Sequence, residues 1–240
     1  MVNLSAYPIK YSLACTQKSN GPILEVGCGG GRILRYYHNR GNFIVGFDYV
    51  TEIVERLKQS DSSLNLTVGD IKKLGFRDST FGCVLAFGVF HNIETDMASA
   101  IREASRVLRS GGLMCASFRA DNLNTRLNDW LWNRSHRSSR ATSRIFHKVN
   151  LTKLEILQRV SDCGFSVSQI VPAENMPLLY KFPLFRERAQ KQFNENAGRL
   201  DGYRLSRLGR LVQNFLMWLA PNAFCNLFVV FATKTDNQNA

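Results

Sequence analysis

The residues best suited to chemistry crowd into one stretch, Ile23-Leu24-Glu25-Val26-Gly27-Cys28-Gly29-Gly30-Gly31-Arg32. A short apolar run ends in an acid and a glycine cluster, and Arg32-Ile33-Leu34-Arg35-Tyr36-Tyr37 then reads as a helix. A buried parallel strand followed by a turn nearly free of side chains brings backbone close to a nucleotide. A second apolar run, Phe43 to Phe47, ends on Asp48, seventeen residues beyond Gly31. A carboxylate at about that distance can accept hydrogen bonds from ribose hydroxyls. Two familiar nucleotide turns are excluded. A G-x-G-x-x-G dinucleotide fingerprint would need glycine where Arg32 stands. A phosphate-cradling loop would need Gly-Lys-Ser/Thr, and none follows.

The elements that must hold these residues come in order. Gly41 ends the first helix, the second strand runs to Asp48, and Glu52 and Glu55 favour a helix N-terminus after Thr51. A short strand, Asn65-Leu66-Thr67-Val68, closes on Gly69-Asp70. The fourth strand lies between Asp78 and His91, and its carboxyl end, Phe87 to His91, faces the ligand crevice of an open α/β sheet. Ala100, Ile101, Ala104, Val107 and Leu108 fall at helical spacing, and Gly111-Gly112 ends that helix and starts a fifth strand through Phe118. Thr152-Lys153-Leu154-Glu155 is a capping box with a stop at Gly164. Phe165 to Val171 alternates like a strand, and Leu227 to Phe231 reads as a continuous buried one.

Five signals occur in order: E-x-G-x-G-x-G, the acid closing strand two, Gly69-Asp70, the aromatic-rich end of strand four, and V-L-x-x-G-G before strand five. In type and spacing they resemble the class I S-adenosylmethionine (SAM)-dependent methyltransferases, especially the ubiquinone-biosynthesis-like branch. The resemblance covers about Gly21 to Ile170 and the terminal strand. It implies an α/β fold: a doubly wound, seven-stranded, mostly parallel sheet with an antiparallel last strand. It also implies SAM held by Glu25, Gly27, Cys28, Gly29, Asp48, Asp70 and the backbone near Phe87, with Tyr49 and Ile71 flanking the adenine. SAM has no phosphate to place, and its methionine ammonium makes an acid such as Glu25 acceptable. Asp70 would accept from the adenine amino group; alternatively it only forms a turn after glycine. Tyr49 reads equally as an ordinary half-buried aromatic. One departure stands out: the fourth strand of the family usually opens Phe-Asp-x-Val, and here Gly82 replaces the acid.

At 240 residues the chain reads as one domain, 1–240, with two segments outside the common plan, about 119–150 and 172–226. Six scattered cysteines without C-x-x-C pairing argue against a metal site and for the reduced thiols of a cytoplasmic protein. Met1 to Asn20 lacks the plan of a secretory signal, and polar residues and Pro221 interrupt the run Leu211 to Phe231. Of the net charge of +12, residues 119–150 carry seven Arg/Lys against two Asp, and residues 181–210 carry eight against three acids. Such an excess marks either a solvated face or a site for an anionic substrate or surface. Residues 119–150 include Trp130, Trp132, His136 and His147, and 204–219 has Leu205, Leu208, Leu211, Val212, Phe215 and Leu219 on one side with Arg204, Arg207 and Arg210 elsewhere. Both segments are expected to form a helical cap over an acceptor pocket.

Methyl transfer is an in-line displacement in which a protein mainly aligns the reactants and excludes water. A hydroxyl acceptor would also need a general base. His91 is the best-placed imidazole, against a substrate-orienting or structural role, with His136 and His147 behind it. The acceptor expected is a small-molecule, anionic, lipid- or glycan-linked one. An RNA or tRNA methyltransferase is the alternative, motivated by Trp130, Trp132 and Tyr203 among basic residues, though no RNA-binding domain is appended. A non-catalytic protein retaining the fold is the third reading, with Gly82 its specific support. Peripheral membrane contact through 204–219 is compatible with each. Oligomeric state is not legible.

Overall fold

The computed structural model describes residues 7–135, 148–173, 177–188 and 204–235. Helix α1 (Ile9–Thr16) precedes β1 (Ile23–Val26), α2 (Arg32–His38), β2 (Ile44–Asp48), α3 (Thr51–Ser60), β3 (Asn65–Val68) and β4 (Phe81–Ala86). There follow α4 (Met97–Val107), β5 (Leu108–Ala120), α5 (Leu123–Ser135), β6 (Asn150–Leu151), α6 (Lys153–Ser161) and β7 (Phe165–Ala173). The last elements are α7 (Pro177–Tyr180), α8 (Arg207–Leu219), α9 (Pro221–Phe224) and β8 (Leu227–Lys234).

The strands form a sheet of order β3-β2-β1-β4-β5-β8-β7, with β6 paired to β5. β1 runs parallel to β2 and β4, β2 to β3, and β4 to β5. β1 and β4 are buried at every position, as central strands covered on both faces require. β8 runs antiparallel to both neighbours. Ala120 N–H donates to the Asn226 carbonyl at 3.1 Å, and Lys234 Nζ to the Leu108 carbonyl at 2.7 Å, so β8 descends as β5 ascends. The same reversal against β7 follows from Thr235 N–H donating to Gly164 at 3.0 Å and Ser168 Oγ to Phe231 at 3.0 Å. The eighth strand, beyond the seven expected, is the two-residue β6, too short for any alternation to reveal. β5 also starts earlier than expected. Leu108 already pairs with Phe81 and Leu113 with Cys83, so five positions of β5 face two of β4, and Gly111 takes a φ of +66° in the bulge.

Gly82 has a packing cause. A Cβ there would overlap the Asn20 carbonyl oxygen, and Gly82 N–H donates to the Pro22 carbonyl at 2.9 Å. The residue lies near the start of β4, at the opposite end from Ala86, where the chain leading into β1 crosses it. The capping box is formed in full: Thr152 Oγ1 accepts from Glu155 N–H, and Glu155 Oε2 accepts from Thr152 N–H at 2.8 Å. Helix α1, which no sequence signal indicated, buries Ile9, Tyr11, Ser12 and Cys15.

The described residues divide into two compact units, one drawn from Met1–Arg119, His147–Val171 and Val229–Ala240, the other from Ala120–Phe146 and Pro172–Phe228. The first contains β1 to β4 and a core in which Leu24, Leu34, Ile44, Val84 and Ile101 are fully buried. The second has its own small core of Leu179, Tyr180 and Leu205, against which Phe185, Val212, Leu216 and Met217 pack. Among the described residues, no helix is long and apolar enough to cross a membrane, and no three His, Cys, Asp or Glu gather as a metal site.

Candidate functional site

All residues of the site belong to the first unit. Where β1 ends, Gly27 and Cys28 N–H both donate to the Phe47 carbonyl, at 2.7 and 3.0 Å, so the glycine loop hangs from the end of β2. Gly27 and Gly29 adopt φ of +71° and +48°, conformations that favour glycine. A Cβ at Gly27 would overlap Val89 Cγ2, whereas one at Gly29 would meet nothing nearer than the Gly27 carbonyl at 4.0 Å. The loop is therefore pinned on one side and open on the other. Asp48 braces it: Oδ2 accepts from Gly29 N–H at 2.8 Å and Oδ1 from Val50 N–H at 3.1 Å. Each carboxylate oxygen has about two lone-pair sites, so the same side chain retains acceptor capacity for ligand hydroxyls.

Glu25 is the unusual member. Its side chain is buried, and Oε2 finds no hydrogen-bond partner among the described residues. Burial pushes its pKa up to about 8, a rise that Asp48 reinforces and that the Leu34 N–H and Arg32 oppose. A buried carboxyl with an unmatched oxygen is costly unless a ligand supplies a donor. An ammonium group fits that requirement in charge and in hydrogen bonding. Cys28 is buried, and its Sγ would lie 3.3 Å from a Cβ at Gly46, so its side chain packs beneath the loop.

Gly69 N–H donates to the Asp48 carbonyl at 3.1 Å, which carries Gly69-Asp70 to the same strand ends. Asp70 Oδ1 accepts from Lys72 N–H at 2.9 Å and caps the 3₁₀ turn Ile71–Lys73, so the turn-forming role is realised. Ile71 opens that turn, half-buried, and Tyr49 projects beside Asp48 with 76% of its surface exposed. Tyr49 is thus not the half-buried aromatic of the alternative reading.

Beyond β4 a second cluster adjoins the loop, because Val89 abuts Gly27. The Phe87 ring meets Tyr7 edge-on, with centroids 5.7 Å apart. Tyr7 OH donates to Ser117 Oγ at 2.9 Å, and Gly88 N–H donates to the same atom at 2.9 Å. His91 is buried and donates to the Ser117 backbone, while its Nδ1 finds no partner among the described residues. Nε2 therefore carries the proton. Burial holds the imidazole pKa down at about 4, helped by Lys148 and Arg119 and opposed by the Ser117 hydrogen bond. Near neutral pH His91 is an uncharged ring with a buried acceptor nitrogen. Sequence reasoning missed Tyr7 and Ser117. The signal for Ser117 was a lone hydroxyl following the apolar run Met114-Cys115-Ala116; nothing local pointed to Tyr7. His136, His147, Tyr203 and the Trp132 side chain lie outside what the structure describes.

Residues 24–116 match the methyltransferase domain family. The chain is 33% identical over 109 residues to the Homo sapiens protein named "Probable tRNA methyltransferase 9B", covering 45% of this chain and 23% of that one. It is 32% identical over 91 residues to the demethylmenaquinone methyltransferase of Streptomyces avermitilis, covering 38% of each. This chain spans about a quarter of the length of the tRNA methyltransferase 9B relatives. Among solved structures it superposes on a chain from the complex of the Haloferax volcanii Trm112 methyltransferase activator with a methyltransferase, at TM-score 0.64 and 16% identity, covering 96% of this chain and 90% of that one. A SAM-dependent methyltransferase of Methanosarcina mazei gives TM-score 0.62 and 17% identity, with 96% and 98% covered. These likenesses extend the fold beyond the matched domain. With the strand order, the glycine loop and the acid that braces it, residues 24–116 carry a methyltransferase domain, and the chain has the fold of the S-adenosylmethionine-dependent methyltransferases.

Proposed function

We propose that this chain transfers a methyl group from SAM to a small-molecule, lipid- or glycan-linked acceptor. The observation that carries the reading is the buried Glu25 with its unmatched Oε2, one loop away from the Asp48 carboxylate that braces the glycines. In this reading Glu25 takes the methionine ammonium, Asp48 the ribose hydroxyls, and Gly27, Cys28 and Gly29 offer close backbone. Tyr49 and Ile71 flank the adenine, Asp70 accepts from its amino group, and Phe87 borders the cofactor. When bound, SAM supplies a sulfonium methyl carbon to which the acceptor lone pair bonds as the carbon–sulfur bond breaks, its electron pair passing to sulfur and the acceptor proton to solvent.

The chain's own contribution is alignment. His91 Nδ1 accepts a hydrogen bond from the acceptor O–H or N–H and fixes the direction of its lone pair. With a pKa of about 4, this nitrogen orients the acceptor better than it stores a proton. Ser117 ties this ring to the neighbouring pair of Tyr7 and Phe87, while Lys148 and Arg119 add positive charge nearby. Choice of acceptor is assigned to segments 119–150 and 172–226, read as a cap.

Calorimetry tests the cofactor half. Asp48→Ala should weaken SAM binding by roughly tenfold to a hundredfold, and a wild-type chain that binds no SAM ends the reading. Transfer of labelled methyl into lipid, glycan, small-molecule and RNA fractions, counted separately, tests the acceptor half. Label entering tRNA alone would favour the second reading, a tRNA methyltransferase, supported by the similarity over 109 residues to tRNA methyltransferase 9B and by the basic segments.

A further inference from the structure

Helix α8 divides around its axis into three strips. At about 100° per residue, Gly209, Val212 and Leu216 share the strip toward Tyr180 and Leu205, the core of the second unit. Leu208, Leu211, Phe215, Trp218 and Leu219 fill the next arc of roughly 100° and are 46% to 77% exposed. Arg207, Arg210 and Asn214 line its far border. Beside the helix start Leu184 is also 68% exposed, and its carbonyl accepts from Ser206 Oγ at 3.2 Å. Single exposed leucines are ordinary, but a contiguous strip of large apolar groups marks a contact surface.

We propose that α8 seats the second unit on an anionic bilayer surface. Leu208, Leu211, Phe215, Trp218 and Leu219 enter the boundary between headgroups and acyl chains, while Arg204, Arg207 and Arg210 meet lipid phosphates. The helix, thirteen residues or about 20 Å long, is too short to cross a bilayer and suited to lie along one. Charge decides among occupants. No Asp or Glu occurs between Asp201 and Asp236, so α8 itself carries only cations, although Glu187 N–H reaches the Arg204 carbonyl at 3.0 Å beside its start. A second copy packed strip to strip would set arginine against arginine across the contact. RNA would satisfy the arginines and leave the leucines in water. An anionic lipid surface satisfies both, and it does so whether or not the chain transfers methyl groups.

Vesicles of phosphatidylcholine, with and without phosphatidylglycerol, test this on the full chain. Partitioning should be at least roughly tenfold stronger on the anionic vesicles. The paired variant Leu211→Glu/Trp218→Glu should lower it by roughly tenfold or more while keeping SAM binding and circular dichroism. Arg207→Glu/Arg210→Glu should abolish the preference for anionic lipid. Trp218→Phe should still partition but lose quenching by brominated lipid, which separates its signal from Trp130 and Trp132. Absence of partitioning, or equal partitioning by the Leu211/Trp218 variant, overturns the proposal. So does a wild-type dimer that this variant dissociates without vesicle binding, or salt-sensitive tRNA binding lost in the same variant.

Discussion

Glu25 sets folding against ligand binding. Its folded pKa of about 8 exceeds the ordinary carboxyl value of 4.5, so the folded chain keeps a proton that the unfolded chain sheds. Its contribution to stability is therefore complete below the unfolded value and is lost as pH rises toward about 8. Glu25→Gln removes this dependence. By calorimetric melting, its advantage over wild type should grow between those two values, while its SAM affinity falls by roughly tenfold or more. Wild-type SAM binding at neutral pH should release a proton, seen as a dependence of the binding heat on the ionisation enthalpy of the buffer. His91→Asn should leave SAM affinity unchanged and lower kcat by roughly tenfold to a hundredfold. Because the His91 pKa is about 4, the wild-type profile should show no step from this residue near neutrality. The glycine loop and Asp48 were readable because close backbone approach and ribose recognition impose spacings along one stretch of chain. Tyr7 and Ser117 are 110 positions apart, and nothing local relates them. The unmatched Nδ1 of His91 is likewise a property of its surroundings.

At the scale of elements, Gly82 shows how a departure from a family pattern can be steric. The Asn20 carbonyl occupies the space a side chain would need. Gly82→Ala should cost about 1–3 kcal/mol by overpacking, measured by urea unfolding, with SAM affinity in the surviving fold unaltered. Thr152→Ala removes half of the capping box and should cost about 1 kcal/mol in the same measurement. Helix stops, caps and apolar runs placed α2, α3, α4, α6 and the central strands, because those signals act over one or two turns of chain. The Gly111-Gly112 pair was legible as an interruption but not as a bulge, since a bulge is defined only against the strand beside it. Helix α1 escaped notice because its buried residues, Ile9, Tyr11, Ser12 and Cys15, include polar ones that make an apolar stripe hard to see.

At the scale of the molecule, two cores have different reserves. The second unit rests on Leu179, Tyr180 and Leu205 with a few half-buried neighbours. Tyr180→Ala should destabilise that unit by about 3–5 kcal/mol. Hydrogen exchange should then accelerate in 177–188 and 204–224, while residues 23–48 keep their protection and SAM still binds. The first unit was legible because a parallel sheet writes its strands as separate apolar runs. The second was legible only as charge and amphipathic segments, since its core joins residues from distant parts of the chain. The position of β8 has one more consequence. This strand, the last among the described residues, sits between β5 and β7, with parallel pairs on only one side of it. During synthesis β5 and β7 emerge with a vacant lane between them, and each presents unpaired N–H and C=O groups until Leu227–Lys234 clears the ribosome. Nascent chains stalled before Leu227 should therefore engage chaperones and aggregate, and release of β8 should end that exposure in a single step.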